Sequence, residues 1–422
     1  MSWRKGKCRL QQNKIEVEEV EMADLENRIE LVSEKFNEVY GVPPRVIVRA
    51  PGRVNLIGEH TDYNDGYVLP IAIDRDILIA AAPSDEPTVC LYSMNFDRIS
   101  MFSLDNITKD VDNEWSNYPR GVAYMLKKRR KHIGGADMVV HGDIPLAAGL
   151  SSSAAFEVAS AMAFQALYGF DMSGPEMALL CQAAENEFVG VNCGIMDQFI
   201  SRLGSKNHAL FIDCRSLEHE AVPLPEKGIK VIVANTMRKR GLVDSEYNVR
   251  RAQCEEAVSI LKTFLPGIRA LRDVSVLDFK KYGRELPPTV RRRAEHVITE
   301  NNRVLESVEA LRHGKLSVFG RLMNASHESL RDNYEVSCRE LDVLVEAAWR
   351  IPGVYGSRMT GAGFGGCTVS LVAEEAVEEF LERVPQEYRA RIGITPMVYV
   401  CTPEGGAEVI KRVEPEETPN WI

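Results

Sequence analysis

The segment Gly52–Gly66, read GRVNLIGEHTDYNDG, constrains this chain more than any other stretch. Between Arg53 and Asp62 it sets Arg53, Asn55, Glu59, His60, Thr61 and Asp62 among the apolar spacers Val54, Leu56 and Ile57. A solvated loop has no use for those spacers, and a core strand has none for Glu59, His60 and Asp62 in close succession. The mixture predicts a buried loop whose polar side chains face a polar ligand. A sugar suits it, because carboxylates and an imidazole offer hydroxyls paired acceptors and donors.

Around that loop, apolar patterning predicts strands at 45–49, 71–82, 89–92, 136–141, 209–213, 229–235 and 397–402. Helical spacing covers 22–39, 115–130, 154–168, 175–189, 245–264, 290–311 and 316–334. Gly41 and Pro43 end the first helix, and a Ser173/Glu176 capping box opens the fourth. Strands and helices mix without regular βαβ alternation, which predicts an α+β fold. A length of 422 residues allows two or three domains. The division expected is 22–215 and 216–422. The polar, acidic residues 1–21 are expected as a disordered extension or as residues ahead of the start codon in use.

Hydrophobic residues make up 45% and charged residues 27%, as in an ordinary globular chain. A net charge of −10 argues against a general role on nucleic acid or anionic membranes. The one basic run, KKRRK at 127–131, follows a helical pattern and reads as a solvated helix C-terminus. Nine cysteines are scattered without CxxC pairs or zinc spacing, which fits a reducing compartment. Cys181, Cys254 and Cys401 sit in apolar patterns and read as core thiols. With no membrane-length apolar run and no secretory leader, the expected location is the cytoplasm. A monomer is the default expectation.

Residues 145–155, PLAAGLSSSAA, suit a phosphate group. Small residues let the backbone come close, and a helix starting there points free N–H groups at the ligand. The candidate contacts are Ala147, Ala148, Gly149, Leu150, Ser151, Ser152 and Ser153. The GxxxxGK[ST] pattern is absent, so this is no Walker loop. A plain serine N-cap would explain one of the three serines. Glu185 lies on the shoulder of the apolar face Met177, Cys181, Ala184 and Phe188. There it is either a surface glutamate or a partly desolvated carboxylate that wants a cation. Asp197, among Ile195, Met196, Phe199 and Ile200, is either a helix cap or a buried carboxylate in need of a partner. The run GAGFGG at 361–366 satisfies G-x-G-x-x-G, but the strand-like CTVSLV follows it, so a glycine turn between strands is expected rather than a dinucleotide site.

Taken together, Gly52–Gly66 resembles the signature of the galactokinase family, within the GHMP kinase superfamily. The 145–155 and 361–366 segments are similar to that superfamily's second and third motifs, and the resemblance spans 22–402. It implies a two-domain GHMP kinase fold, with a ribosomal protein S5 domain 2-like N-terminal domain, a ferredoxin-like C-terminal domain and the active site in the cleft between them. It also implies ATP as co-substrate, held by the serine loop, and Mg²⁺ reached by Ser153 and Glu185. Arg53 would lie beside Asp197 as the catalytic pair. Glu59, His60, Thr61, Asp62, Gly194, Asp197 and Tyr247 would bind the sugar. The implied reaction moves the ATP γ-phosphate to the C1 hydroxyl of α-D-galactose. An N-acetylgalactosamine kinase or other sugar 1-kinase is the alternative within enzymes. A non-catalytic galactose sensor is the alternative outside them, and the uninterrupted Ser153-Ala154-Ala155 favours a working kinase over it.

Overall fold

The structure is a computed structural model that describes residues 25–145, 149–238 and 243–413; the extension expected over 1–21 lies outside these residues. Its strands are β1 (Val46–Asn55), β2 (Tyr67–Val68), β3 (Pro70–Ser84), β4 (Thr88–Ser93), β5 (Arg98–Ser103), β6 (Gly135–Gly142), β7 (His208–Asp213), β8 (His219–Pro223), β9 (Ile229–Asn235), β10 (Val354–Thr360), β11 (Cys367–Ala373), β12 (Met397–Cys401) and β13 (Glu408–Arg412). They form a six-stranded sheet in the order β13-β1-β3-β6-β4-β5, a four-stranded sheet β10-β11-β9-β12 and a three-stranded sheet β2-β7-β8. In the first sheet only β4 and β6 run parallel.

Strand β3 shows why its apolar run is nearly continuous. Ile71, Ile73, Ile77, Ile79 and Ala81 join the main core, while the alternating Leu78, Ala80 and Ala82 pack with Val32 and Phe36 of the helix Leu25–Tyr40. The helix Ser152–Tyr168 lies against β1 and β3 on the main-core side. A strand covered on both faces has no polar alternation to show. Strand β9 repeats this arrangement: Val231 and Val233 face the main core, whereas Ile232 and Ala234 face the helices Arg339–Trp349 and Val377–Ile392. One core therefore runs from the first sheet to the second.

Several expected elements change on inspection. The segment around Arg53 is not a loop leaving a short strand. Strand β1 is buried along its whole length and runs to Asn55, so Arg53 sits on the strand, just past a register shift between Pro51 and Arg53. The expected helix 175–189 is α-helical only over Gly174–Ala183, where the Ser173/Glu176 capping box forms, and continues as a π-helical turn, Ala184–Val189. The helix expected over 316–334 likewise ends in a π turn at Leu330–Tyr334. Strand β13, unforeseen, pairs with β1, so Glu408–Arg412 joins the first sheet from beyond the expected boundary at 215/216. The glycine turn at 361–366 does join two strands, β10 and β11. Lys127 and Lys128 of the basic run close the helix Asn117–Lys128 and pair with Asp105 and Glu187. Among the described residues no helix is long and apolar enough to cross a membrane.

Candidate active site

Most of the residues singled out by sequence meet at one cavity of about 240 Å³, lined by Arg53, Glu59, His60, Asp62, Glu185, Gly194, Asp197 and Tyr247, with the loop 190–193, Met196, Asn248, Gly361 and Ala362. Arg53 and Asp197 meet in a two-pronged ion pair, with Nε donating to Oδ1 at 2.7 Å and Nη2 to Oδ2 at 2.5 Å. The third guanidinium nitrogen, Nη1, donates to the Gly149 carbonyl at 2.7 Å. The Ser151 hydroxyl donates to Asp197 Oδ2 as well. Asp197 lies in the first turn of the helix Met196–Leu203, and its side chain stays a quarter exposed. It is neither a fully buried group nor a side-chain cap.

Ser151 takes a left-handed backbone conformation (φ 59°) directly before its helix. The Leu150 carbonyl accepts from the Arg53 N–H at 3.1 Å, so the serine loop and β1 are tied by backbone as well as by side chains. Ala147 and Ala148 fall outside the described residues. Ser152 and Ser153 line a neighbouring cavity of about 230 Å³ with Asn95, Phe96, Trp115, Tyr118 and Phe156 among its walls. The rings of Phe96, Trp115 and Phe156 stack in succession at 6.1 and 6.4 Å. Nothing in the sequence marked these aromatics, because distant segments supply them.

Glu185 sits in the π turn. Its Oε2 accepts from the Gln198 amide at 2.6 Å and from the Cys193 thiol at 3.3 Å. Burial pushes its carboxyl up to about 7, against hydrogen bonds from Cys193, Ser153 and Gln198 that pull it down. The same Gln198 amide donates at 3.0 Å to Glu157, which is fully buried and whose carboxyl burial holds well above the usual range. Among the described residues no group of three His, Cys, Asp or Glu side chains forms a ready metal cage.

On the opposite wall, the Asp62 carboxyl is also pushed up to about 7, by burial first and by the Asp197 charge second. Glu59 turns one oxygen toward the β10–β11 turn, where Gly361 N–H donates at 2.7 Å, Thr360 Oγ1 at 3.1 Å and Arg358 Nη1 at 3.4 Å. His60 is buried, and its Nδ1 meets the Tyr63 hydroxyl at 2.7 Å. Burial, then the neighbouring His296, lowers its pKa to about 3. Tyr247 packs its ring 5.7 Å from His60 and 5.0 Å from Tyr63. Thr61 does not reach the cavity: it is fully buried, and its hydroxyl lies 2.8 Å from the Gly58 carbonyl and 2.6 Å from that of Tyr67. It closes the turn behind the site rather than facing a ligand.

The helix Pro288–Arg312 braces this wall. His296 Nε2 lies 3.1 Å from the Glu59 carbonyl, Glu300 Oε1 accepts from Gly58 N–H at 3.0 Å, and Asn301 Oδ1 accepts from Tyr67 N–H at 2.9 Å. Burial pushes the Glu300 carboxyl up, but Arg303, His296, Arg358 and the Ser326 hydroxyl outweigh it and bring it down to about 2. Polar residues at helix spacing on a core-facing side were the available signal for this role.

Comparison with known proteins gives the family. Family models match at 34–83 (galactokinase galactose-binding signature), 117–205 (GHMP kinases N terminal domain) and 307–390 (GHMP kinases C terminal). A galactokinase of Roseiflexus sp. is 50% identical over 385 residues, covering 91% of this chain and 98% of its own. One from Chloroflexus aggregans is 49% identical over 381 residues, covering 90% of this chain and 97% of its own. The crystal structure of Lactococcus lactis galactokinase complexed with galactose superposes with a TM-score of 0.87 at 38% identity, covering 90% of this chain and 99% of that one. The Methanococcus jannaschii mevalonate kinase shares the fold at a TM-score of 0.62 and 18% identity, covering 86% of this chain and 99% of that one.

Proposed function

The chain belongs to the galactokinase family of the GHMP kinases, and from that premise we propose how its own residues divide the work. It is an ATP-dependent sugar 1-kinase, giving galactose 1-phosphate and ADP from α-D-galactose and ATP. The observation that carries our assignment of roles is the Arg53–Asp197 pair on the cavity wall.

In our reading, Asp197 accepts or orients the proton of the C1 hydroxyl as that oxygen bonds to the γ-phosphorus and the bond from phosphorus to the β-phosphate bridging oxygen breaks. Arg53 holds both Asp197 oxygens in place, and its positive charge offsets charge on the moving phosphoryl group. Proton removal before attack and a looser transfer assisted by Arg53 are both compatible with this pair. Glu59, His60, Asp62 and Tyr247 form the sugar wall, and Gly194 leaves room for it. The phosphates follow the 149–153 loop. The base occupies the cavity of Phe96, Trp115 and Phe156, whose stacked rings suit a purine.

Ser153 and Glu185 are the residues that would hold Mg²⁺. Glu185 is a desolvated carboxylate whose hydrogen-bond partners Gln198, Cys193 and Ser153 are all neutral, so a cation beside it restores the stabilisation that burial removes. One hydroxyl and one carboxylate leave the remaining positions to phosphate oxygens and water, which suits this ion. When bound, it would neutralise phosphate charge. We also place the enzyme in the cytoplasm as a monomer. The free thiols Cys90, Cys181, Cys193, Cys214, Cys254, Cys338, Cys367 and Cys401 support the reducing compartment.

A panel of sugars incubated with ATP, with products separated and scored, tests this reading. Galactose 1-phosphate as the main product is expected. Preferred turnover of an acetylated hexosamine, or galactose binding without ATP consumption, would overturn it.

A further inference from the structure

We infer that Tyr63 and Tyr334 are positioning residues that fix His60 as a hydrogen-bond donor to the sugar, through a relay that starts at Cys254. The inference rests on His60 being a sugar contact. The relay is buried and unbroken: Cys254 Sγ lies 3.2 Å from the Tyr334 hydroxyl, that hydroxyl 2.8 Å from Tyr63's, and Tyr63's 2.7 Å from His60 Nδ1. Tyr334 is fully buried and Cys254 is 1% exposed, so bulk water does not complete these bonds.

A neutral imidazole carries one donor and one acceptor, and each hydroxyl carries one proton. The relay therefore has two consistent directions. In one, all protons point toward His60, which makes Nδ1 an acceptor and leaves Nε2–H to donate. In the other, all point toward Cys254, which leaves Nε2 a bare acceptor. Two features select the first. The imidazole nitrogen is a far better acceptor than the thiol sulfur, so the strong phenol donors gain more by facing His60. The cavity is also rich in acceptors: Glu59, Asp62, Asp197 and Glu185 all line it, and three nitrogens of Arg53 are already engaged with Asp197 and Gly149. A bare Nε2 lone pair among carboxylates is repelled, whereas an N–H is attracted. Nε2 is enclosed and has no completed hydrogen bond, and the Ala362 backbone beside the ring favours a proton there. A sugar hydroxyl that donates to a carboxylate still needs a donor for its own oxygen, and Nε2–H supplies it.

The test uses the full-length enzyme with ¹⁵N-labelled histidine, the His60 signals being assigned by their loss in His60→Gln. We expect a protonated Nε2 and a bare Nδ1 in the parent. In Tyr63→Phe the preference for that tautomer should weaken, and KM for galactose should rise about tenfold with kcat and KM for ATP within about twofold. Tyr334→Phe, which leaves the Tyr63 donor in place, should show the same changes to a smaller degree and keeps the test open should Tyr63→Phe not fold. A proton on Nδ1 in the parent overturns the relay, and so does an unchanged tautomer and KM in a folded variant. If His60→Ala itself leaves galactose affinity unchanged, the sugar-contact reading fails and the relay with it. If His60→Ala weakens binding while the tyrosine variants do not, the relay alone fails.

Discussion

A β-carbon at position 194 would lie 1.7 Å from Asp62 Oδ2, so Gly194 and Asp62 compete for the same space and only a glycine lets the carboxylate stand where it does. The smallest substitution, Gly194→Ala, must displace Asp62 from the sugar wall. We expect KM for galactose to rise by roughly two orders of magnitude, with KM for ATP nearly unchanged, because a displaced buried contact costs on the order of 2–3 kcal/mol. Steady-state kinetics with each substrate varied in turn checks this. Equal changes in both KM values would contradict it.

Asp62 and Glu185 both have carboxyls raised to about 7 in the folded protein, against ordinary values of 3.8 and 4.5. A raised carboxyl means that the folded state holds its proton more tightly than the unfolded chain does. Its contribution to stability is complete below about pH 4 and is lost as pH rises through about 7. The ligand-free enzyme should thus lose more melting temperature between pH 5 and pH 8 than the Asp62→Asn/Glu185→Gln double variant. Parallel curves for the two proteins would contradict the assignment.

The Gln198 amide joins Glu157 to Glu185, at 3.0 and 2.6 Å. Burial holds Glu157 well above the ordinary carboxyl range, so its neutral form is the one the fold accommodates. Glu157→Gln imitates that form and should cost less than about 1 kcal/mol in urea denaturation. Gln198→Leu removes the donor from two buried carboxyls and should cost about 2–4 kcal/mol. The reverse ranking would show that Glu157 is held as an anion.

That Arg53, Glu59, His60 and Asp62 line one cavity was legible because polar residues separated by Val54, Leu56 and Ile57 suit a ligand-facing segment. Pairing Arg53 with Asp197 was not legible from spacing, since 144 residues separate them and no local period spans that distance. It came from resemblance. The resemblance set Thr61 among the sugar contacts, and its hydroxyl bonds the Gly58 and Tyr67 carbonyls, which no sequence pattern marks. The π turn that places Glu185 has the composition of an ordinary helix, so nothing in the pattern separated it from the helix before it. The brace from His296, Glu300 and Asn301 was hidden within a long helix whose apolar residues drew the reading. The return of β13 to β1 depends on pairing between the two ends of the described chain, which a sequence pattern does not encode.

The central claim is that Asp197, held by Arg53, handles the proton of the sugar's C1 hydroxyl. Asp197→Asn keeps the side chain's shape and removes its charge. Single-turnover kinetics on this variant, with galactose affinity measured alongside by calorimetry, is the most direct test. The account predicts galactose binding within about tenfold of the parent and a phosphoryl-transfer step slowed by at least about a thousandfold. Transfer at a near-parental rate in a variant that binds galactose normally would contradict it.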